Sequence, residues 1–510
     1  MSGFTKGFSL GLTERPNFGS RTWKRYPAKP QLRSKIADEV AQGRILGPFD
    51  KPPIKNLVLS PVCAIPKPNG KSRLIFNLSS PKNFSVNDNI PQSARKVNYC
   101  NVTDVALFLL DNDELNHAFM AKIDLTDAYR LVPIQKDDWR YLGMAVGDEL
   151  YVDRCLPMGA ASSCQIFQRI SNALAWIASS TSPVKIKIFN YIDDFLILAY
   201  TEQDCRMALA HLITMLTQLG IPVSPSKTIE PTQNITFLGI GISSVTKTFF
   251  VPQDKASKTL LELEKFLKLS CPRVKEWQRI LGKLTHIAQV VYSGRVYLSS
   301  VYAALKGTLS LEGHKRRELG YEAREDLHVW RHFLMSPPNK HFKMVRPTDP
   351  PLFTIDTDAA ASHGFGCLFE NKWFAGIWPA ENWKGSPIAF LELYPIFLAL
   401  HLWEDLFEES LVRIRTDNIA LVTVLNKLYS KDKYLRQLLK PIAQLCLTKN
   451  IQILACHIPG TLNIGPDLLS RGHQKEFLTR FPHAEKLPQA IPPHLQPNKL
   501  LLPLCCRSTN

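Results

Sequence analysis

Apolar positions along this chain recur with the periods of both strands and helices, and one segment breaks the pattern. Residues 186–200 read IKIFNYIDDFLILAY, apolar or aromatic almost throughout, with Asp193 and Asp194 side by side in the middle. The runs on either side have the length of short buried strands, and the turn between them falls at 191–194. Aspartate in a turn is ordinarily a turn former that tolerates left-handed backbone. The flanks argue for more than that. Two like charges inside apolar strands repel, and each is costly to desolvate unless a cation or a proton compensates it. A divalent metal ion is the expected partner.

The same patterning predicts the elements around this hairpin. A helix is expected over 31–42, and two strands within 57–78 flank the turn Lys67-Pro68-Asn69-Gly70, where Asn-Gly is a strong hairpin signal. Lys67, Lys71 and Arg73 then sit at or beside the tip, either solvated or able to clamp a triphosphate. A helix over 102–110 precedes a strand over 118–125 that ends at Asp124; Asp124 and Asp127 are alternatives as helix caps. A hairpin turning at Gly147-Asp148 leads to Leu156-Pro157-Met158-Gly159, which opens a long helix from about residue 162. Such a helix N-terminus offers N–H groups to a phosphate or a template strand. An amphipathic helix over 204–219 ends at Gly220, Lys227 lies in a Pro/Ser loop, and a short strand is expected to begin at Thr236-Phe237-Leu238-Gly239.

Residues 250–345 switch to helical periodicity with little strand signal. Beyond a Pro-rich break at 346–351, a strand over 352–357 reaches Asp358, and three further acids follow on separate elements: Glu392 in FLELYP, Asp417 in RIRTDN and Asp467 in GPDLLSR. Pro395 is tolerable only near the first turn of the helix that follows Glu392. The expected division is a basic N-terminal arm over 1–45, one domain over 46–245, a helical region over 246–345, a second domain over 350–472 and a mobile Pro-rich tail over 473–510.

Charge narrows the partner. The chain of 510 residues carries a formal net charge of +17, and residues 1–80 hold 14 Lys or Arg against 4 Asp or Glu. A polyanion is expected, with nucleic acid ahead of a membrane surface because no basic amphipathic helix is present. No apolar run approaches the roughly 18 residues of a membrane span, and no signal-peptide pattern opens the chain, so an intracellular location is expected, cytoplasm or nucleus. The 11 cysteines show no finger spacing, which predicts neither a disulfide framework nor a structural zinc site.

The succession of Lys67 and Arg73, Asp124 with Ala128-Tyr129, LPMG and its helix, YIDD, Lys227 and FLG is similar to the ordered motifs of reverse transcriptases. The wording GRILGPFDKPP and RLIFNLSSPKNFSVND most resembles retrotransposons of the tyrosine-recombinase (DIRS) order, with hepadnavirus-like polymerases more distant. The resemblance implies an α+β multidomain fold: a right-hand polymerase of fingers, palm and thumb, followed by an RNase H-like α/β domain. It implies that Asp124, Asp193 and Asp194 bind two Mg2+ ions, with Mn2+ as the alternative. Asp193 is the expected direct ligand and Asp194 the less direct one, since adjacent residues of a strand point to opposite faces. Lys67 and Arg73 would hold the incoming deoxynucleoside triphosphate, Tyr129 would lie under its sugar, and Met158 and Gly159 would border it. Lys227 and Gly239 would meet nucleic acid. Met158 stands where retroviral enzymes carry glutamine, which removes a side-chain hydrogen bond to the nucleotide.

The four acids of the second domain, with TDN and PG-x-x-N-x-x-x-D-x-L-S-R, resemble ribonuclease H. This implies metal binding by Asp358, Glu392, Asp417 and Asp467, with Asp356 the rival for the first position, and endonuclease cleavage of the RNA strand of a hybrid. Asn418, His457 and Asn463 would face the hybrid, and the basic run over 427–440 resembles a substrate-gripping handle. The expected partners are an RNA template, a DNA primer, an RNA–DNA hybrid and deoxynucleoside triphosphates, with any recombinase or integrase on a separate chain. The alternative reading is a catalytically silent, host-retained nucleic-acid-binding relative.

Overall fold

The computed structural model describes residues 2–12, 29–66, 70, 72–112, 117–306, 314–335, 341–346, 351–379 and 386–497. The chain divides into two compact units, residues 1–238 with 242–247 and residues 239–241 with 248–510. Residues 248–345, expected to form a region of their own, cluster with the C-terminal part in the second unit. Among the described residues no helix is long and apolar enough to cross a membrane.

The first unit is built on a four-stranded antiparallel sheet in the order Ile186–Tyr191, Asp194–Ala199, Phe119–Asp124, Ile229–Thr232. The apolar run that the sequence placed after the aspartates fills its centre: Phe195, Leu196, Ile197, Leu198 and Ala199 are all at most 1% exposed. Burying a side chain of Leu or Phe size contributes roughly 1.5–3 kcal/mol, so this strand anchors the turn at its head. The helices Ser163–Thr181 and Glu202–Gln218 pack against the sheet. The first buries Ile166, Phe167, Ile170 and Leu174 at helical spacing. The second is capped by Thr201, whose hydroxyl accepts from the Asp204 N–H at 3.0 Å. A smaller sheet orders Ile45–Phe49, Glu149–Asp153 and Gly143–Val146, and Val62–Pro66 pairs with Ser72–Phe76 as the expected hairpin.

Among its described residues, the N-terminal stretch is not the loose arm that its polarity suggested. Leu10 is fully buried, and the helix Pro30–Ala41 sinks Leu32, Ile36 and Glu39 into the unit. A buried ionic network holds it there: Arg130 reaches Glu39 Oε2 at 2.9 Å and Asp153 Oδ2 at 2.7 Å, while Lys35 pairs with Glu39 Oε1 at 2.6 Å. Polar composition misled because these charges are paired inside rather than solvated.

In the second unit, the helices Gln253–Leu267, Val274–Ile287 and Tyr321–Met335 match the helical periodicity, with a short antiparallel pair, Thr248–Phe250 and Phe342–Lys343, added. A five-stranded sheet follows in the order Lys372–Ile377, Gly364–Phe369, Phe353–Ala359, Leu411–Thr416, Gln452–His457. Its first three strands form an antiparallel meander and its last two join in parallel. The helix Ile388–Leu402 carries Pro395 in its interior, not in its first turn. Ten of its 15 residues are buried, and that tertiary burial outweighs the missing backbone hydrogen bond. The expected tail is also ordered through residue 497. The helix Gln474–Arg480 buries Phe477 against Trp373, ring centroids 5.2 Å apart, and the buried Tyr394 hydroxyl donates to the Leu495 carbonyl at 2.8 Å. Sparse aromatic anchors hold this segment, and these carry no periodic signal.

Candidate active sites

In the first unit, Tyr191 pairs with Asp194, so the central hairpin turns through only Ile192 and Asp193. Ile192 has φ 53, a conformation that a β-branched residue adopts only when its surroundings enforce it. The enforcing group is Gln168 of the helix Ser163–Thr181. Its Oε1 accepts the Ile192 N–H at 2.8 Å, and its Nε2 donates to Asn172 Oδ1 at 2.8 Å. Asn172 Oδ1 also accepts from Asn190 Nδ2 at 2.8 Å, which ties the strand before the turn to the same helix. On the other side, Asp124 lies directly opposite Asp194, and the Leu125 N–H donates to the Asp193 carbonyl at 3.0 Å. Three acids from two distant stretches of sequence therefore meet at one end of the sheet.

Their charges interact. Burial and then the Asp124 charge push the Asp193 carboxyl above its ordinary value. Burial also raises Asp194, opposed by Lys122, whose Nζ lies 3.4 Å from Asp194 Oδ1. Lys227 Nζ sits 2.7 Å from Asp124 Oδ1, so Lys227, expected to meet nucleic acid, pairs with an acid of the site. Lys122 went unnoticed in the sequence because a lysine within a strand looks like an ordinary outward-facing residue.

Tyr129 stacks on Phe167 with ring centroids 5.3 Å apart, and its hydroxyl lies 3.3 Å from Cys164 Sγ. Tyr99 lies against Tyr191 of the turn at 4.6 Å. Gly159 has φ 142, and a Cβ there would fall 2.0 Å from the Phe76 carbonyl oxygen, so only glycine fits. The loop is fastened by Asn87, whose Nδ2 donates to the Gly159 carbonyl and whose Oδ1 accepts the Ala161 N–H, both at 2.8 Å. The Met158 carbonyl accepts from the Phe76 N–H at 2.9 Å, which places the loop beside the hairpin bearing the exposed Arg73. Lys67 lies outside the described residues. Gly239 belongs to the second unit, where its carbonyl accepts from Lys255 Nζ at 2.8 Å and a Cβ would stand 2.7 Å from that nitrogen.

The second unit gathers the other acids. Asp358 lies on the strand Phe353–Ala359, Asp417 directly follows Leu411–Thr416, Glu392 rides the helix Ile388–Leu402, and Asp467 lies on the helix Ile464–Ser470. Asp356 pairs in register with Arg415 across the two parallel strands, and the side chains make a two-pronged ion pair at 2.5 Å. Asp356 is thus engaged by Arg415, whereas Asp358 bonds to Ser470. Ser470, fully buried, donates to Asp358 Oδ2 at 2.5 Å, and Arg471 Nε lies 2.7 Å from Asp467 Oδ1. Burial, then the charges of Asp417 and Asp467, raise Asp358 against the opposing Ser470 hydrogen bond. Glu392 is pushed up to about 7 by burial, then by Asp417, with Asp358 adding to the shift and Asn418 opposing it.

Among the described residues no group of three or more His, Cys, Asp or Glu side chains is arranged to hold a metal ion. The acids are instead engaged by Lys122, Lys227, Ser470 and Arg471. The donor chemistry nevertheless suits a hard divalent cation. All donors are carboxylate oxygens, burial and then their mutual repulsion raise Asp193, Asp358 and Glu392, and among the described residues the buried Glu392 Oε2 has no hydrogen-bond partner.

Of the three residues expected to face a hybrid, two are engaged within the unit. Asn463 is 2% exposed, and its Nδ2 donates to the Thr357 carbonyl at 3.0 Å, bracing the backbone next to Asp358. Asn418 caps the helix Ile419–Lys427 by accepting from the Ala420 and Leu421 N–H groups at 3.0 and 3.2 Å. His457 is exposed at the end of its strand. Within the basic run, Lys440 pairs with Asp326 at 2.7 Å and Arg436 with Glu322 at 3.6 Å, so these two charges are committed inside the unit.

Comparison with known proteins defines the class first. The reverse transcriptase (RNA-dependent DNA polymerase) family matches residues 65–242, the span that holds Asp124, Gly159 and the Tyr191–Asp194 turn. The chain thus carries a reverse transcriptase domain. It is 26% identical over 259 residues to the Gag-Pro-Pol polyprotein of human T-cell leukemia virus 2, which covers 49% of this chain and 16% of that protein. It is 28% identical over 153 residues to Protein P of woodchuck hepatitis B virus, covering 30% of this chain and 27% of that protein. Among solved structures, the foamy viral protease-reverse transcriptase in complex with double-stranded DNA shares the fold at TM-score 0.53 and 18% identity. That match covers 88% of this chain and 73% of the other. The same viral protein in complex with an RNA/DNA hybrid gives TM-score 0.52 at 18% identity, covering 89% of this chain and 56% of the other. A mixed α/β multidomain fold, with a reverse transcriptase-like region followed by a further domain, is the architecture.

Proposed function

We propose that the chain is an RNA-directed DNA polymerase with an attached ribonuclease H, encoded by a retrotransposon-like element. The phrasing of residues 43–53 and 73–88 supports an element of the tyrosine-recombinase order. The observation that carries the polymerase reading is the meeting of Asp124 with Asp193 and Asp194 on one sheet end. For the nuclease, it is the placing of Asp358, Glu392, Asp417 and Asp467 on or beside four elements of one unit, with the Asp417 charge acting on both Asp358 and Glu392 and the Asp467 charge on Asp358.

In the polymerase site, Asp124, Asp193 and Asp194 would hold two divalent ions, Mg2+ in the first instance, which supply charge neutralisation for the attacking 3′-hydroxyl and the leaving pyrophosphate. The residues of the chain supply the geometry. Gln168 fixes the turn, so the Asp193 and Asp194 carboxylates are oriented before substrate arrives. Lys227 and Lys122 neutralise the acids in the meantime and must swing away when a cation takes their place. Tyr129, with its ring fixed on Phe167, forms the floor under the sugar, where a 2′-hydroxyl would collide. Arg73 and the loop N–H groups after Met158 and Gly159 meet the triphosphate and the template base pair.

In the nuclease site, Asp358, Glu392, Asp417 and Asp467 would hold the ions that direct water at an RNA phosphodiester. Ser470 and Asn463 orient Asp358 and its strand. Purified protein with a primed RNA template, deoxynucleotides and Mg2+ should extend the primer, and Asp193→Asn should abolish extension while leaving hybrid cleavage. Asp417→Asn should do the reverse. Tight, salt-sensitive hybrid binding with neither turnover would favour the silent nucleic-acid-binding relative instead.

A further inference from the structure

The five-stranded sheet of the second unit ends at Gln452–His457, which pairs on one side only. The Gln452 N–H donates to the Ser410 carbonyl at 2.9 Å and the Ile458 N–H to the Thr416 carbonyl at 3.1 Å. Even-numbered residues therefore turn their peptide groups toward Leu411–Thr416. Alternate residues of a parallel strand bond to opposite sides, so, besides His457 at the exposed strand end, residues 451, 453 and 455 point their N–H and C=O groups off the sheet edge.

Two of these three are satisfied. The Ile451 N–H donates to the Cys446 carbonyl at 3.1 Å. Asn426 imitates a neighbouring strand at Ala455, with Oδ1 accepting the Ala455 N–H at 2.8 Å and Nδ2 donating to the Ala455 carbonyl at 2.9 Å. Ile453 lies between them, and its outward N–H and C=O have no hydrogen-bond partner among the described residues.

Ile453 lines a cavity of about 420 Å3 together with the apolar Phe342, Val345, Leu425 and Leu428 and with Arg346 and Asn450. Its size falls in the range of ligand sites, about 300–1,000 Å3. A donor and an acceptor side by side on a strand edge, in a largely apolar slot, complement the outward C=O and N–H of one residue of an extended strand with apolar neighbours. Unpaired edges of this kind are where extended segments add as an extra strand.

We propose that the groove at Ile453 binds an extended peptide segment, which pairs by its backbone with Ile453 and buries apolar side chains against Leu428 and Val345. This site is independent of both carboxylate sets, and its test does not depend on either activity.

The probe is the capped peptide acetyl-Thr-Val-Leu-Val-Thr-amide, added to the full chain. Site-resolved hydrogen exchange should show the Ile453 amide protected by about tenfold or more at saturation, with the amides of Gln452 and Leu454 unchanged because they are already bonded. Methylation of the central leucine nitrogen of the probe should weaken binding about tenfold, since it removes the donor to the Ile453 carbonyl and leaves the side chains intact. Val345→Trp, which fills the slot, should abolish binding at an unchanged melting temperature. Equal binding of the methylated and unmethylated probes would overturn the proposal, as would an Ile453 amide that stays unprotected at every probe concentration. Protection of Ile453 by an RNA–DNA hybrid in place of the peptide would also overturn it.

Discussion

Gln168 Oε1 accepts the Ile192 backbone N–H at 2.8 Å, so a helix side chain, not the strands alone, sets the shape of the carboxylate turn. Ile192 is held at φ 53 by this bond, and a β-branched residue there relaxes once the bond is lost. Gln168→Leu keeps the side-chain volume and removes the acceptor. It should lower the rate of primer extension by roughly 10–100-fold, the scale of a displacement of about 1 Å in reacting groups. Hybrid cleavage in the second unit should stay unchanged. Parallel extension and cleavage assays on one preparation check this, and equal loss of both activities would show a folding defect rather than a positioning role.

That relationship also marks where sequence reading stopped. The hairpin, Asp124 and the LPMG loop were legible because strand period and turn chemistry are local, and each signal lies within a few residues. Gln168 was not, since its partner is 24 residues away and it occupies one position of a regular amphipathic helix. Asn87 sits in a quoted stretch of sequence, yet its work is done on a loop 72 residues further on. Asn463 had the right motif and the wrong placement, because a motif gives residue type but not burial. In each case the missing information was a long-range hydrogen bond, which leaves no periodic trace in the chain.

Arg130 presents a sharper case, with partners 91 and 23 residues away in a fully buried network. The Arg130 and Lys35 charges hold Glu39 below its ordinary value although burial alone would raise it, whereas burial outweighs Arg130 at Asp153 and raises that acid. Arg130→Met leaves two buried carboxylates facing each other and should cost about 3–5 kcal/mol at neutral pH. Both acids then have raised values in the folded state. The stability deficit should therefore shrink as the pH falls from 7.5 to 5 and they take up protons. Urea unfolding at the two pH values measures this, and a pH-independent deficit would remove the electrostatic explanation.

Asp356 and Asp358 are two residues apart on one strand, but only Asp356 is engaged by Arg415. Asp356→Asn should leave hybrid cleavage within about threefold of the parent. Its stability should change by no more than about 1 kcal/mol, because the Arg415 side chain is 41% exposed and such pairs contribute little. Asp358→Asn should abolish cleavage. If the two variants lose activity equally, Asp356 is part of the site and its ion pair opens on substrate binding.

Glu392 gives the nuclease site a pH signature that can be read without any substrate. Its carboxyl stands at about 7 in the folded chain against an ordinary value of 4.5, through burial and the neighbouring Asp417 charge. A group raised on folding stabilises fully below its unfolded value and loses that contribution as the pH climbs through the folded value. In chelator, the melting temperature should therefore decline between pH 5 and pH 8 by more in the parent protein than in Glu392→Gln, which has no proton to lose. The unpartnered Glu392 Oε2 makes this carboxylate the natural recipient of a divalent cation. Millimolar Mg2+ should then raise the parent's melting temperature at pH 8 and leave the variant almost unmoved. Identical pH profiles for the two proteins in chelator would mean that Glu392 is solvated and normal, and would remove the electrostatic basis for placing it among the metal-binding acids.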